Sequence, residues 1–157
     1  MHNKIVVADL LSQTCVFMNL NAKNKDEVIE KLTQSLCELN IISNKEGFIH
    51  DVMLREALGS TGFENQIAIP HGKSQWVNET RIAVAKLASP VEWETMDDSP
   101  VSLVILFAVK EADSGAGHIK LLAKISIALG DDEVVEALLN AQTKEALFNL
   151  LVNNTQE

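Results

Sequence analysis

The chain predicts an α/β sandwich, a single sheet with helices against both faces. Three observations carry that prediction. Strand-type runs at 67–69, 81–88 and 101–109 occupy the middle of the chain, and helical periodicity occupies both ends. The run VSLVILFAV (101–109) is apolar at every position except Ser102. A strand that is apolar on both of its alternating faces needs cover on both, so helices must lie on each side. With 157 residues the chain has the size of one domain around one core, and 1–157 is taken as a single domain. Strand order and direction do not follow from this pattern.

The elements follow in order. The start, MHNKIVVADLLSQ, has one lysine, then an acidic residue and no small-residue cleavage site, so no signal peptide is expected. Asn24 precedes KDEVIEKLTQSLCELN, with acids in its first turn and Val28, Ile29, Leu32, Leu36 and Leu39 on one helical face. Asn44 suits the N-cap of KEGFIHDVMLREAL, where Phe48, Ile49, Val52 and Met53 make the apolar stripe and Gly59 the stop. The three strand runs come next. The loop KEADSGAG then leads into the helix HIKLLAKISIAL, closed by Gly130, and two short helices follow at DDEVVEALL and, opened by Thr143, TKEALFNLL. No repeat, low-complexity stretch or linker divides the chain.

Composition excludes several classes. The net charge is −9 with no basic cluster, which argues against a nucleic-acid partner and suits a basic protein partner or plain solubility. Apolar residues make up 46% of the chain, too many for disorder. The longest apolar run is too short to cross a bilayer. Cys15 and Cys37 stand apart with no CxxC pair, as reduced thiols of a cytoplasmic protein would.

The segment IAIPHG (67–72) carries the first candidate for chemistry. Proline lacks an N–H and cannot continue a central strand, so the sheet is expected to end at Pro70. Gly72 leaves room for another backbone beside the imidazole of His71. That places His71 uncovered on the sheet rim, where α/β proteins hold ligands, as a competent nucleophile or base. His118 stands where a helix begins, beside unpaired backbone amides that favour an anion. Arg55 lies one turn from a helix end, ahead of GSTG, and suits a two-pronged phosphate contact as well as helix-end electrostatics. Each residue alone has a plainer reading as a turn or cap. Together with Ser60 and Thr61 they suit an anion such as phosphate and suit a metal poorly, since no HExxH or other ligand-spaced set appears. His2 and His50 receive no role.

Three separated segments, LREALGSTG (54–62), IAIPHG (67–72) and GHIKLLAKIS (117–126), resemble in order and spacing the enzyme IIA domain of the mannitol/fructose type. This domain belongs to the bacterial phosphoenolpyruvate-dependent sugar phosphotransferase system, and the likeness covers essentially the whole chain. It implies a mixed sheet flanked by helices. It also implies that His71 is the phosphoacceptor, loaded by the phosphocarrier HPr and discharged to a cysteine of enzyme IIB. His118 and Arg55 would contact the phosphate, with Ser60 and Thr61 in the same phosphate-binding set. No metal or cofactor is implied, and a membrane enters only indirectly, through enzyme IIC. One departure concerns the stretch after GSTG. Many relatives continue with Ile-Gly-x-Gly, whereas this chain has Phe63, Glu64, Asn65 and Gln66, so a differently shaped loop is expected. Two other readings stay open, a regulatory module of the nitrogen-related branch and, at lower weight, a metal-dependent hydrolase using both histidines.

Overall fold

Five strands form one mixed sheet in the computed structural model, which describes residues 6–113 and 116–155. They are β1 (Val16–Leu20), β2 (Ile67–Ala68), β3 (His71–Ser74), β4 (Arg81–Val91) and β5 (Val101–Lys110). Their order is β1-β4-β5-β2, with β3 also on β5. β4 and β5 pair antiparallel, β1 runs parallel to β4, and β2 and β3 run parallel to β5. The helices are α1 (Val7–Leu10), α2 (Lys25–Glu38), α3 (Lys45–Leu58), α4 (Ala116–Ala128), α5 (Asp132–Asn140) and α6 (Lys144–Asn154). His2, Ser114 and Gly115 lie outside the described residues. Val101 and Leu103 through Ala108 are all buried, so β5 has the cover on both faces that its apolar run demanded.

Helix starts follow the capping residues in the sequence. Asn24 accepts from the N–H of Glu27 at 2.9 Å, Asn44 from Gly47 at 3.0 Å and Thr143 from Ala146 at 3.0 Å. Each cap satisfies a backbone donor that the helix itself cannot, worth about 1 kcal/mol. α2 buries Val28, Ile29, Leu32 and Leu36, whereas Leu39 falls past its end and is 41% exposed. α3 buries Phe48 and Val52 fully and Ile49 and Met53 only in part. α4 buries Leu121 and Ile125, with Leu129 just beyond its last turn.

The sheet does not end at Pro70. Ile67 faces Leu103, Ala68 faces Val104 and His71 faces Phe107, so the register is unchanged across the proline. β2 and β3 are two halves of one edge strand, a place where proline is tolerated because only one neighbour loses a bond. The Pro70 carbonyl still accepts from the Phe107 N–H at 2.9 Å. β1 was not foreseen either. It is five residues long, breaks register between Phe17 and Leu20, and holds Asn19 at φ 54°, which blurs its alternation.

Candidate functional site

His71 opens β3 and is fixed by the ladder to β5 opposite Phe107. Its ring is held at both nitrogens. Nδ1 lies 3.0 Å from the Ile69 carbonyl oxygen, and Arg55 Nε donates to Nε2 at 3.1 Å. A carbonyl only accepts, so Nδ1 carries the proton and Nε2 keeps its lone pair for the Arg55 N–H. Burial is the main cause that holds this imidazole below its ordinary pKa. The bond to Ile69 opposes it, the Arg55 cation adds to it, and the Glu56 carboxylate opposes it in turn. His71 is therefore a neutral base with a defined tautomer.

The imidazole is half-buried, not uncovered. Gly72 admits α3 side chains and not another backbone, because a Cβ there would stand 2.8 Å from Val52 Cγ2 and 3.2 Å from Phe48 Cε1. That close seating carries the last turn of α3 to the edge strand, and Arg55 with it. Arg55 makes two contacts: Nη1 donates to the Gly59 carbonyl at 2.7 Å at the helix end, and Nε donates to His71.

His118 is the third residue of α4 and is half-buried. Its ring meets Phe107 edge-on, with centroids 6.4 Å apart and planes at 70°. Phe107 is the registered partner of His71, and such cross-strand neighbours share a face. Arg55 thus reaches His71 directly, and His118 reaches the adjoining strand residue.

Ser60 and Thr61 are engaged otherwise than expected. Ser60 Oγ donates to the Glu94 carbonyl at 2.6 Å and accepts from the Gly62 N–H at 3.0 Å. Buried Thr61 donates its hydroxyl to Glu56 Oε1 and its N–H to Glu56 Oε2 at 3.3 Å. Each hydroxyl has one proton, and both are spent on protein acceptors, the Ser60 proton on Glu94 and the Thr61 proton on Glu56. A Cβ at Gly62 would lie 1.9 Å from the Glu94 oxygen, which explains the second glycine of GSTG. Sequence reasoning missed Glu56 and Lys25. Glu56 is 2% exposed at its side chain and pairs with Lys25 at 2.7 Å. A Glu–Lys pair this far apart in sequence leaves no local pattern to find.

The stretch 63–66 keeps glycine-like geometry without glycine. Asn65 and Gln66 have φ 57° and 70°, in the left-handed region. Asn65 N–H donates to Asp97 at 3.0 Å, Gln66 N–H to Ser99 Oγ at 3.1 Å, and Ser102 Oγ to Gln66 Oε1 at 2.9 Å. The bonds from Asn65 N–H and Ser99 push the Asp97 carboxyl down to about 2. Phe63 is partly buried and packs on the core. Among the described residues, no group of His, Cys, Asp and Glu is placed to hold a metal ion, and no helix is long and apolar enough to cross a membrane.

The mixed sheet with its flanking helices is the fold of solved enzyme IIA domains. Nitrogen regulatory protein IIA-Ntr from Neisseria meningitidis superposes with a TM-score of 0.85 at 24% identity, over 92% of this chain and 98% of that one. Mannitol enzyme IIA from Escherichia coli, solved in complex with phosphorylated enzyme IIB, gives 0.75 at 23% identity, over 91% and 97%. Residues 9–154 match the model of the family described as "Phosphoenolpyruvate-dependent sugar phosphotransferase system, EIIA 2", and the chain belongs to that family. The EIIABC component specific for 2-O-alpha-mannosyl-D-glycerate from Escherichia coli K12 is 36% identical over 143 residues, 90% of this chain. The chain spans only 22% of that relative's length. A nitrogen regulatory protein from Bradyrhizobium diazoefficiens is 31% identical over 146 residues, 92% of this chain and 94% of its own.

Proposed function

We propose that the chain is a cytoplasmic phosphoryl carrier of a sugar phosphotransferase system. It takes a phosphoryl group from phospho-HPr on His71 and passes it to a cysteine of enzyme IIB, which in turn serves the membrane component enzyme IIC. The observation that carries this is the His71–Arg55 pair, a neutral imidazole with its lone pair turned to a guanidinium. In the first transfer Nε2 attacks phosphorus, the new N–P bond forms and the donor's own bond to phosphorus breaks. Nδ1 keeps its proton, and the Ile69 carbonyl steadies the positive charge that spreads into the ring. Arg55 Nε–H occupies the line of attack in the resting protein, so the guanidinium turns onto the phosphoryl oxygens as phosphorus arrives. The His118 ring adds a second donor. In the return step a thiolate of enzyme IIB attacks, the N–P bond breaks and Arg55 donates to Nε2 again. Ser60 and Thr61 build the turn, leaving Arg55 and His118 as the phosphate contacts.

Incubation with phosphoenolpyruvate, enzyme I and HPr is expected to label the wild type with acid-labile phosphate and to leave His71→Ala unlabelled. Equal labelling of the two rejects the assignment. His118→Ala is expected to fold and to discharge slowly to enzyme IIB, and an unchanged rate removes His118 from the site. One finding favours a second reading, a regulatory module loaded by the same route: the 31% identity with the Bradyrhizobium nitrogen regulatory protein extends over 92% of this chain. A panel of enzyme IIB acceptors separates the two. Discharge to one of them selects sugar transport, whereas a phosphoprotein that no acceptor discharges selects regulation.

A further inference from the structure

We propose that the Lys25–Glu56–Thr61 cluster, buried at Glu56 and Thr61, is a positioning device that sets the Arg55 guanidinium on His71; this rests on the phosphoryl-carrier reading. Glu56 accepts from three donors. Oε1 takes the Thr61 hydroxyl, and Oε2 takes Lys25 Nζ at 2.7 Å and the Thr61 N–H at 3.3 Å. Lys25 is held from its other side by the face of Trp93, 5.2 Å from the ring centroid. Thr61 is thus tied to α3 at two atoms, and Gly59 N–H is tied to the Glu56 carbonyl at 3.1 Å. Between these anchors sits the Gly59 carbonyl, which accepts from Arg55 Nη1 at 2.7 Å and leaves Nε aimed at His71. A path of single contacts therefore runs from the first residue of α2 to the nucleophilic nitrogen.

Two physical arguments set this cluster apart from ordinary packing. Burying the Glu56 carboxylate costs desolvation that the attraction to Lys25 largely offsets, so stability alone is a poor reason for the pair to be there. An arginine side chain has many rotamers, and a second fixed contact at Nη1 is what holds Nε in one of them. Charge adds a further point. A carboxylate one residue from Arg55 would oppose a phosphoryl dianion, and the ion pair with Lys25 offsets part of that charge.

Thr61→Val and Lys25→Met test the cluster, with Lys25→Arg as the conservative control. Circular dichroism checks the fold, nitrogen-resolved NMR reads solvent exchange of the Arg55 Nε–H, and labelling through enzyme I and HPr reads transfer. Both variants are expected to fold and to lose protection of the Arg55 Nε–H. Their kcat for phosphorylation is expected to fall by roughly 10- to 100-fold, the scale of a small misplacement, with KM for HPr little changed. Lys25→Arg is expected to restore both signals. Wild-type protection and rate in both variants overturn the proposal. Unfolding of both overturns it too, since the cluster would then serve the fold and not the arginine. Absence of labelling in the wild type itself counts against the carrier reading alone, because Nε–H exchange still decides the positioning role.

Discussion

Each nitrogen of His71 has one partner, and that asymmetry fixes which atom carries the proton and which keeps its lone pair. Ile69 holds the proton on Nδ1, and the lone pair of Nε2 faces Arg55. Burial and the Arg55 charge outweigh the Ile69 bond and Glu56, so the folded ring gives up its proton more readily than a free one. Unfolded histidine titrates near about 6.5. As pH falls through that value the unfolded chain takes up the proton first, so the contribution of His71 to stability is present above it and is lost on acidification toward the lower folded pKa. An NMR titration is expected to place the His71 midpoint below 6.5, higher in Arg55→Met and lower in Glu56→Gln, and His71→Asn is expected to remove this part of the acid dependence. A wild-type midpoint at or above 6.5 rejects the account. His71, Arg55 and His118 were singled out as a set through the resemblance of their three segments, because each residue alone has a plainer reading as a turn or cap. The engagement of Ser60 was not, because its acceptor is a backbone carbonyl at Glu94, which no side-chain pattern marks.

Two elements meet at the site, and their contact has one weak point. Arg55 belongs to α3 and His71 to β3, and they touch because Gly72 lets Phe48 and Val52 settle onto the strand. In Gly72→Ala the new methyl would stand 2.8 Å from Val52 Cγ2, forcing α3 away from the edge strand. Such overpacking costs about 1–3 kcal/mol, and here it also lengthens the Arg55–His71 bond. The variant is expected to lower the denaturation midpoint and to slow labelling. A normal rate beside lowered stability shows that the pair tolerates movement of α3. Helices α2 to α6 were legible from apolar spacing and caps, and β5 from its nearly continuous apolar run, whereas α1 was not foreseen. β3 was not, since HGKS has no strand character of its own and is a strand only through unbroken register with β5. Pro70 reads as a terminator in any sequence, and only its place on a sheet edge reverses that.

At the scale of the whole molecule, a carrier must present one histidine to two partners in turn, so the surface around it has to be adhesive without being part of the core. Leu54 and Leu58 on α3 are 54% and 86% exposed, and Ile119, beside His118, is 71% exposed. Helical spacing puts Leu58 on the same side of α3 as Arg55, so apolar surface flanks both proposed phosphate contacts. Replacing a side chain this exposed changes stability by no more than about 0.5 kcal/mol. Burying a leucine against a partner is worth about 1.5–3 kcal/mol, roughly a tenfold change in affinity or more. Leu58→Ser is therefore expected to raise KM for HPr about tenfold while kcat and the denaturation midpoint stay put. Ile127 is an equally exposed control at 77%, eight residues along α4 from Ile119 and so about 12 Å farther from the site. Ile127→Ser is expected to leave KM unchanged. Equal KM values for Leu58→Ser and wild type rule out a partner seated on this face of α3, and a shift in Ile127→Ser moves the contact along α4.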